Sequence, residues 1–292
     1  MYPASFEYHA PASIDEALTI LERYGDEAKV LAGGQSLLPF MKLRFASPRA
    51  LVDLNRIEGL GELFEDDGAL MIGALVRHAQ CERAELLRGR YGVLGDAAPQ
   101  ISDPIVRNWG TVAGSLAHAD PQGDWGSALM AAGAELQARG PDATRTIPLD
   151  EFFHGPFTTA LEPTEIAIWV RVPDPGPNAG GTYLKLERKV GVFATVGVAV
   201  QLSFDNGKVG RAGIALTGVG PCNLRATAAE EALAGAELDD DAIRGAADLA
   251  AKGADPRSDV RGSADYKRNI VRVFTERGLR KAAEAAGRRE EA

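Results

Sequence analysis

The feature of this sequence that most constrains its fold is a pair of consecutive glycines between an apolar run and a hydroxyl side chain. The apolar residues 30–32 are followed by Gly33, Gly34, Gln35 and Ser36. This order predicts a strand, a tight turn and the start of a helix. Because glycine has no Cβ, the backbone here can adopt positive φ and approach a ligand closely. Ser36 can cap the helix and leave its first amides free for an anion, so a phosphate group fits this arrangement.

A second glycine loop repeats this design further along the chain. It consists of Gly110, Thr111, Val112, Ala113, Gly114 and Ser115. Neither loop has the Gly-x-Gly-x-x-Gly pattern of nicotinamide-binding Rossmann folds or the glycine-rich pattern of P-loops, and either loop alone is most often an ordinary turn. Two loops of this kind can grip a diphosphate from both sides. We therefore predict that the chain binds one dinucleotide.

Composition and charge exclude several classes of partner. The 292 residues carry a formal net charge of −9, which disfavours nucleic acid or an anionic membrane surface. Cys81 and Cys222 are the two cysteines, and no signal peptide is recognisable, so a reduced cytoplasmic setting is expected. Two thiolates cannot hold an iron–sulfur cluster, and no long apolar window predicts a membrane span. Any iron–sulfur cluster must therefore lie on another chain.

Hydrophobic periodicity and turn signals divide the chain into parts. Residues 1–55 are predicted to form a small strand–helix–strand unit, and residues 56–173 a second unit that opens with a hairpin. Residues 174–181 are rich in Gly and Pro and are predicted to be a linker. The helices expected in the second unit lie near residues 78–87, 91–98 and 125–132, and its closing strands near residues 134–138 and 165–172.

Residues 182–292 begin with three predicted strands and end with three predicted helices. Asp205, Asn206 and Gly207 are a strong hairpin-turn signal between the second and third strands. The tail after Gly287 is expected to fray. The strands are expected near residues 182–186, 194–204 and 208–219, and the helices near residues 226–233, 240–251 and 264–286.

With both glycine loops located, the sequence resembles the FAD-binding medium subunits of the molybdenum hydroxylases. The closest group is the medium subunits of aerobic carbon monoxide dehydrogenases, and xanthine dehydrogenase carries a related domain. The likeness covers nearly the whole chain, and the two glycine motifs in this order and at this separation are together specific. The matching stretches are residues 32–39, 41–44, 110–121, 185–191 and 258–266.

The resemblance implies an α+β fold. A two-part PCMH-type FAD-binding domain would occupy residues 1–55 and 56–173, followed by the linker at 174–181. A C-terminal domain at 182–292 would contain a three-stranded antiparallel sheet and a helical bundle.

The resemblance also implies a non-covalent FAD and assigns residues to it. The pyrophosphate would be cradled by backbone amides and hydroxyl groups of the two loops. Asp124 matches a family carboxylate that contacts FAD, and Lys185 matches a lysine near the cofactor. The loop residues assigned in this way are Ala32, Gly33, Gly34, Gln35 and Ser36 in the first loop and Thr111, Val112, Ala113, Gly114 and Ser115 in the second.

The chain departs from the family pattern at a few positions. Carbon monoxide dehydrogenases often carry His in the first loop and Gly-Asn in the second, where this chain has Gln35, Ala113 and Ser115. Val192 and Phe193 stand where relatives usually have Asp followed by an aromatic residue, often the Tyr that covers one face of the isoalloxazine. Phe193 can stack on the flavin but cannot donate a hydrogen bond, which would alter flavin potential or access. Packing of Phe193 in the protein core is the alternative.

Ser115, His118, Asp120 and Asp124 also contain the residue types of metal sites and hydrolase triads. Nothing supplies a further metal ligand at a suitable spacing, and no Gly-x-Ser-x-Gly elbow surrounds Ser115. We therefore predict no metal ion and no catalytic acid or base on this chain.

The resemblance implies the electron-transfer subunit of a heterotrimeric oxidoreductase. In such enzymes a small subunit carries two 2Fe–2S clusters and a large subunit carries the molybdenum cofactor. Electrons collect on FAD and pass to quinone, NAD or another acceptor. The leading substrate is carbon monoxide. A dehydrogenase of xanthine, other N-heterocycles or aldehydes is one alternative, and a non-catalytic nucleotide-binding scaffold is another. We expect a cytoplasmic dimer of heterotrimers, with peripheral contact to the inner face of the membrane left open.

Overall fold

The computed structural model describes residues 2–287, and the predicted fraying of the tail after Gly287 lies outside them. The first unit is a three-stranded parallel sheet in the order β1-β3-β2. Helix α1 starts as predicted, because the Ser13 hydroxyl accepts from the Glu16 amide at 3.2 Å, and it ends at Gly25. The elements are β1 (Glu7–His9), α1 (Ile14–Tyr24), β2 (Ala28–Leu31), α2 (Leu37–Lys42) and β3 (Ala50–Asp53).

The second unit combines an antiparallel sheet with short helices. Its five strands lie in the order β4-β5-β10-β6-β7, and β8 pairs with β9 in a separate hairpin. Leu70, Trp125, Leu129 and Val170 belong to its buried core. The elements are β4 (Leu63–Asp66), β5 (Ala69–Gly73), α3 (His78–Arg83), α4 (Gly92–Ala97), α5 (Pro104–Trp109), α6 (Val112–His118), α7 (Asp124–Ala132), β6 (Glu135–Arg139), β7 (Thr144–Pro148), β8 (Phe153–Gly155), β9 (Thr158–Thr159) and β10 (Ile166–Pro173).

The third unit is an antiparallel sheet with a helical layer. Val200, Leu216, Val271 and Leu279 form part of the core between the strands and the helices. Ala199, Ala215 and Tyr183 belong to the core of the second unit, so the sheet also packs against that unit. The elements are β11 (Ala179–Leu186), β12 (Val196–Asp205), β13 (Lys208–Thr217), β14 (Leu224–Arg225), α8 (Thr227–Leu233), α9 (Asp240–Gly253) and α10 (Ala264–Ala285).

The C-terminal sheet has four strands, so the prediction of three is corrected. The fourth, β14, is two residues long and pairs with the end of β13. Such a short strand has no hydrophobic period that a sequence pattern can detect. The hairpin between β12 and β13 is confirmed. Asn206 and Gly207 at its tip have φ of 47° and 86°, as a turn of the tight hairpin type requires.

The predicted linker at residues 174–181 is three residues too long. Ala179, Gly180 and Gly181 already belong to β11 and pair in register with β12. A Cβ on Gly180 would lie 2.3 Å from the carbonyl oxygen of Ala282 in α10. The glycines therefore allow a helix backbone to approach a strand closely, and they do not mark a flexible segment. Among residues 2–287, no helix is long and apolar enough to cross a lipid bilayer.

Candidate cofactor site

The two glycine loops touch each other through their backbones. A Cβ built on Gly33 would lie 2.2 Å from the carbonyl oxygen of Trp109 and 2.8 Å from the Cα of Gly110. A Cβ on Gly114 would lie 3.9 Å from the Cβ of Ala32. No side chain fits at position 33 without separating the loops. The predicted convergence of the two loops on one place is therefore what the structure shows.

The first loop presents a row of amide groups that find no acceptor in the described part of the chain. Gly34 adopts the left-handed conformation, with φ of 71°. The carbonyl oxygens of Ala32, Gly34 and Ser36 all accept hydrogen bonds within the chain. By contrast, the amides of residues 33–36 have no hydrogen-bond acceptor among residues 2–287. Partly buried amide donors without acceptors are what a bound anion satisfies, so this loop fits a diphosphate.

Ser36 does not cap α2 as predicted. It stands directly before the helix, but its hydroxyl makes no hydrogen bond to a helix amide. Its φ and ψ of −107° and −49° are helical, whereas a capping residue needs an extended backbone. The hydroxyl is consequently available to a ligand. Gln35 lies half-buried beside it.

In the second loop, more amide groups are hydrogen-bonded within the chain than the sequence predicted. The Thr111 hydroxyl accepts from the Gly114 amide at 3.1 Å, and the Ser115 amide donates to the Thr111 carbonyl at 3.0 Å. The Val112 amide donates to the Val76 carbonyl at 3.1 Å. Three of the amides assigned to the pyrophosphate are therefore already used, which corrects that part of the prediction.

The hydroxyl groups and two amides are what the second loop still offers to a ligand. The side chains of Val112 and Ala113 are buried in the core, so these residues can contribute only main-chain atoms. Among residues 2–287, the amides of Thr111 and Ala113 have no hydrogen-bond acceptor. Ser115 lies close to the start of α7, because a Cβ on Gly123 would be 3.9 Å from its Oγ.

The buried side chain of His78 packs against the backbone at the start of the second loop. His78 Nδ1 accepts a hydrogen bond from the indole Nε1 of Trp125 at 2.9 Å. The His78 amide donates to the Gly110 carbonyl at 3.0 Å, and a Cβ on Gly110 would lie 2.6 Å from His78 Nε2. Burial lowers the pKa of His78 to about 4, with smaller contributions from the Arg77 and Arg107 charges. The neutral imidazole is therefore a fixed part of the wall behind the loop.

This histidine should make the stability of the chain depend on pH. Its pKa is about 4 when folded and 6.5 when unfolded, so the unfolded state binds more protons between these values and stability declines as pH falls through this window. We expect a loss of about 3 kcal/mol. Urea unfolding at several pH values should show a shallower decline for His78→Asn, whose side-chain oxygen can still accept from Trp125. Equal slopes in both proteins would contradict the assignment.

Asp124 and Lys185 form a buried ion pair with a tyrosine. Asp124, the first residue of α7, accepts from Lys185 Nζ at 3.0 Å and from the Tyr183 hydroxyl at 2.6 Å. Lys185 also donates to the Gln100 carbonyl at 2.7 Å and lies 3.5 Å from Glu187. Burial raises the pKa of Asp124, and the Lys185 charge opposes this effect. The structure thus brings together two residues that the sequence predicted separately.

Tyr183 has no role in the sequence-based assignment, yet it is central to this cluster. Its ring is buried, and burial together with the neighbouring Asp124 raises the pKa of its hydroxyl well above the ordinary value. The phenol is consequently a permanent donor to Asp124. Its position two residues before Lys185 in β11 is the only sequence signal, because alternate strand residues share a face.

Phe193 is not a core residue. Its side chain is 49% exposed, in the segment between β11 and β12. Gly191 in the same segment has φ of 86°, and a Cβ there would lie 3.2 Å from the Ser102 carbonyl. The core-packing alternative for Phe193 is therefore wrong, and its ring is accessible to a ligand.

Residues 4–175 match the family model described as FAD binding domain in molybdopterin dehydrogenase, a match over more than half of the chain. The chain belongs to this family. A second model, described as CO dehydrogenase flavoprotein C-terminal domain, matches residues 181–282 of the flavoprotein. Within residues 2–287, no group of three or more His, Cys, Asp or Glu side chains is arranged to hold a metal ion.

Individual relatives of the flavoprotein agree with this assignment. It is 40% identical to the carbon monoxide dehydrogenase medium chain of Hydrogenophaga pseudoflava, over 97% of this chain and 98% of the relative. It is 37% identical to the 6-hydroxypseudooxynicotine dehydrogenase complex subunit alpha of Paenarthrobacter nicotinovorans, over 98% of this chain and 97% of the relative.

A solved structure gives the same result. The flavoprotein matches carbon monoxide dehydrogenase from Hydrogenophaga pseudoflava lacking the Mo-pyranopterin moiety of the molybdenum cofactor. The TM-score is 0.94 at 42% identity, over 98% of this chain and 99% of that chain. The predictions of an α+β fold, FAD as cofactor and an oxidoreductase subunit of the molybdenum hydroxylases are confirmed.

Proposed function

We propose that this flavoprotein is the electron-transfer subunit of a molybdenum-dependent carbon monoxide dehydrogenase. The observation that carries the proposal is the backbone contact between the two glycine loops, next to four amides of residues 33–36 without an acceptor among residues 2–287. The full-length likeness to a carbon monoxide dehydrogenase medium chain supports the choice of substrate. Carbon monoxide itself would be oxidised on another subunit.

The two loops would hold the diphosphate of FAD between them. The amides of residues 33–36 and the Ser36 hydroxyl would bind one side, and the hydroxyl groups of Thr111 and Ser115 would donate from the other. One loop belongs to residues 1–55 and the other to residues 56–173. This supports our proposal that the two units are the two halves of one FAD-binding domain, with residues 182–292 as a C-terminal domain.

The remaining assigned residues would position the flavin end of the cofactor. Bound FAD supplies the redox chemistry, because its ring system accepts and releases electrons. Asp124 and Lys185 hold each other and Tyr183 in fixed positions, which gives the site a rigid buried ion pair. Phe193 would stack on the ring, since its exposed side chain is free to do so. No residue of this chain is needed to move a proton to or from the substrate.

The partners would be a small subunit with two 2Fe–2S clusters and a large subunit with the molybdenum cofactor, in a cytoplasmic dimer of heterotrimers. Electrons would leave towards quinone, NAD or another acceptor. The cysteine content supports the placement of the clusters on a partner. A 2Fe–2S cluster needs four ligands, usually thiolates, whereas this chain has two cysteines, Cys81 buried and Cys222 half-buried. The cytoplasmic setting agrees with both cysteines being free.

An alternative substrate has its own support. The second relative, at 37% identity over nearly the full length, is named for 6-hydroxypseudooxynicotine, which places the same kind of subunit in a complex that oxidises a different compound. Such an enzyme would be a dehydrogenase of N-heterocycles or aldehydes. A non-catalytic nucleotide-binding scaffold would contain no flavin.

Purification of the native complex distinguishes these functions. We expect the yellow absorption of flavin, about one FAD released per copy of this chain, and two co-purifying subunits. Anaerobic addition of carbon monoxide should bleach the flavin absorption. Bleaching by an N-heterocycle or aldehyde but not by carbon monoxide would support the alternative substrate, and absence of flavin would reject both enzymes.

A further inference from the structure

The contact between the glycine loops is held by two polar side chains that belong to neither loop. Asn55 lies in the turn that follows β3, and Arg77 lies directly before α3. We propose that Asn55 and Arg77 form a clasp that fixes the separation of the two loops and thereby the selectivity of the site for a diphosphate. The inference rests on the proposed FAD function and assigns positioning residues to it.

The first half of the clasp is the side-chain amide of Asn55. Its Nδ2 donates to the Ala32 carbonyl at 2.8 Å and to Asp53 Oδ1 at 2.5 Å. Asp53 is itself fixed, because its other oxygen accepts from the Tyr8 hydroxyl at 2.5 Å. Both amide hydrogens of Asn55 are therefore used, and the orientation of the group is determined. Ala32 is the residue immediately before Gly33, so Asn55 fixes the position of the backbone where the first loop begins.

The second half is the guanidinium group of Arg77. Its Nη2 donates to Asn55 Oδ1, and its Nη1 donates to the Trp109 carbonyl. That carbonyl is the group against which Gly33 packs. The backbone amide of Arg77 donates to Gln80 Oε1 at 2.7 Å, which fixes the main chain beneath the side chain.

The two halves form one continuous chain of hydrogen bonds between the loops. It runs from the Ala32 carbonyl through Asn55 and Arg77 to the Trp109 carbonyl. The planar fork of an arginine can bridge two acceptors in fixed geometry, which a lysine ammonium on its flexible stem cannot do in the same way. If the clasp is broken, the loops can separate, and donors on opposite sides of a diphosphate no longer act together.

The test uses the full-length chain, freed of flavin and titrated separately with FAD and FMN. FMN has a single phosphate, so its binding depends less on the spacing of the two loops. We expect Arg77→Lys and Asn55→Leu each to raise the FAD dissociation constant about tenfold more than that of FMN. The double variant should show about the same tenfold loss, because both changes break one chain of contacts.

Controls separate the clasp from simpler explanations. Arg145→Lys alters an arginine that likewise bridges a side chain and a carbonyl, Glu165 and Ala160, away from the loops, and should bind both flavins as the unmodified chain does. Arg77→Lys keeps the positive charge, so full FAD affinity in this variant would show that charge alone matters and would overturn the clasp. If Asn55→Leu does not fold, the FAD and FMN affinities of Arg77→Lys alone still test the clasp.

The outcomes also separate this inference from the proposed function. An unmodified chain that binds no FAD would overturn both. An unmodified chain that binds FAD, with clasp variants that lose FAD and FMN affinity equally or not at all, would overturn the clasp alone.

Discussion

Replacement of Gly33 by alanine is expected to weaken FAD binding by the purified chain severely. The new Cβ would lie 2.2 Å from the Trp109 carbonyl oxygen and 2.8 Å from the Cα of Gly110. Both are backbone atoms that cannot rotate away, so the loops must move apart. We expect a loss of at least about a hundredfold in FAD affinity, which corresponds to about 2.7 kcal/mol. Fluorescence titration of the flavin-free chain measures this loss.

Gly61→Ala is the matched control for this change. A Cβ at position 61 meets no heavy atom within 4 Å, so the same substitution there should leave FAD affinity unchanged. Overpacking at Gly33 will also cost about 1–3 kcal/mol of stability, and a thermal melt of the flavin-free variant shows whether it is folded. A folded Gly33→Ala chain with normal FAD affinity would show that the loop contact is not part of the binding site.

Lys185→Met is expected to lower the free energy of unfolding of the chain more than any other substitution proposed for this protein. Removal of the lysine leaves the Asp124 carboxylate buried without its cation, and breaking a buried pair from one side costs about 3–5 kcal/mol. The pKa of Asp124 is already raised by burial, and Lys185 is the main influence that lowers it. Without the lysine this pKa rises further. The penalty can be measured by urea unfolding of the flavin-free chain.

The loss should depend on pH in a defined direction. A carboxyl group whose pKa is raised on folding favours the folded state when protonated, and this contribution disappears as pH rises through the folded-state pKa. The deficit of Lys185→Met should therefore be smallest in acid and largest at neutral pH. The double variant Asp124→Asn with Lys185→Met removes both charges of the pair and should recover part of the lost stability at neutral pH, because only Glu187 then lacks its cation. A deficit independent of pH, without recovery in the double variant, would contradict this explanation.

The sequence was informative where the physical cause is local. Gly34 predicted a tight turn because positive φ is a conformation that glycine itself allows. Ser13 predicted the start of α1 through a hydrogen bond three residues away. The resemblance to a known family added Asp124 and Lys185. The structure shows that they form one buried pair, which no local pattern contains.

The residues that the sequence did not reveal act through distant contacts. His78, Asn55 and Arg77 are common polar residues without a motif, and each acquires its role by meeting the loops across the fold. Strand β7 was missed for another reason. Ile147 is its one buried residue, so an edge strand with mostly exposed side chains has no alternating apolar pattern.

The position of the diphosphate in a crystal structure of the FAD-loaded chain tests the central claim most directly. We expect phosphate oxygens within about 2.7–3.2 Å of the amide nitrogens of residues 33–36 and of the hydroxyl groups of Thr111 and Ser115. A diphosphate bound elsewhere on the chain, with these amides still facing solvent, would contradict it.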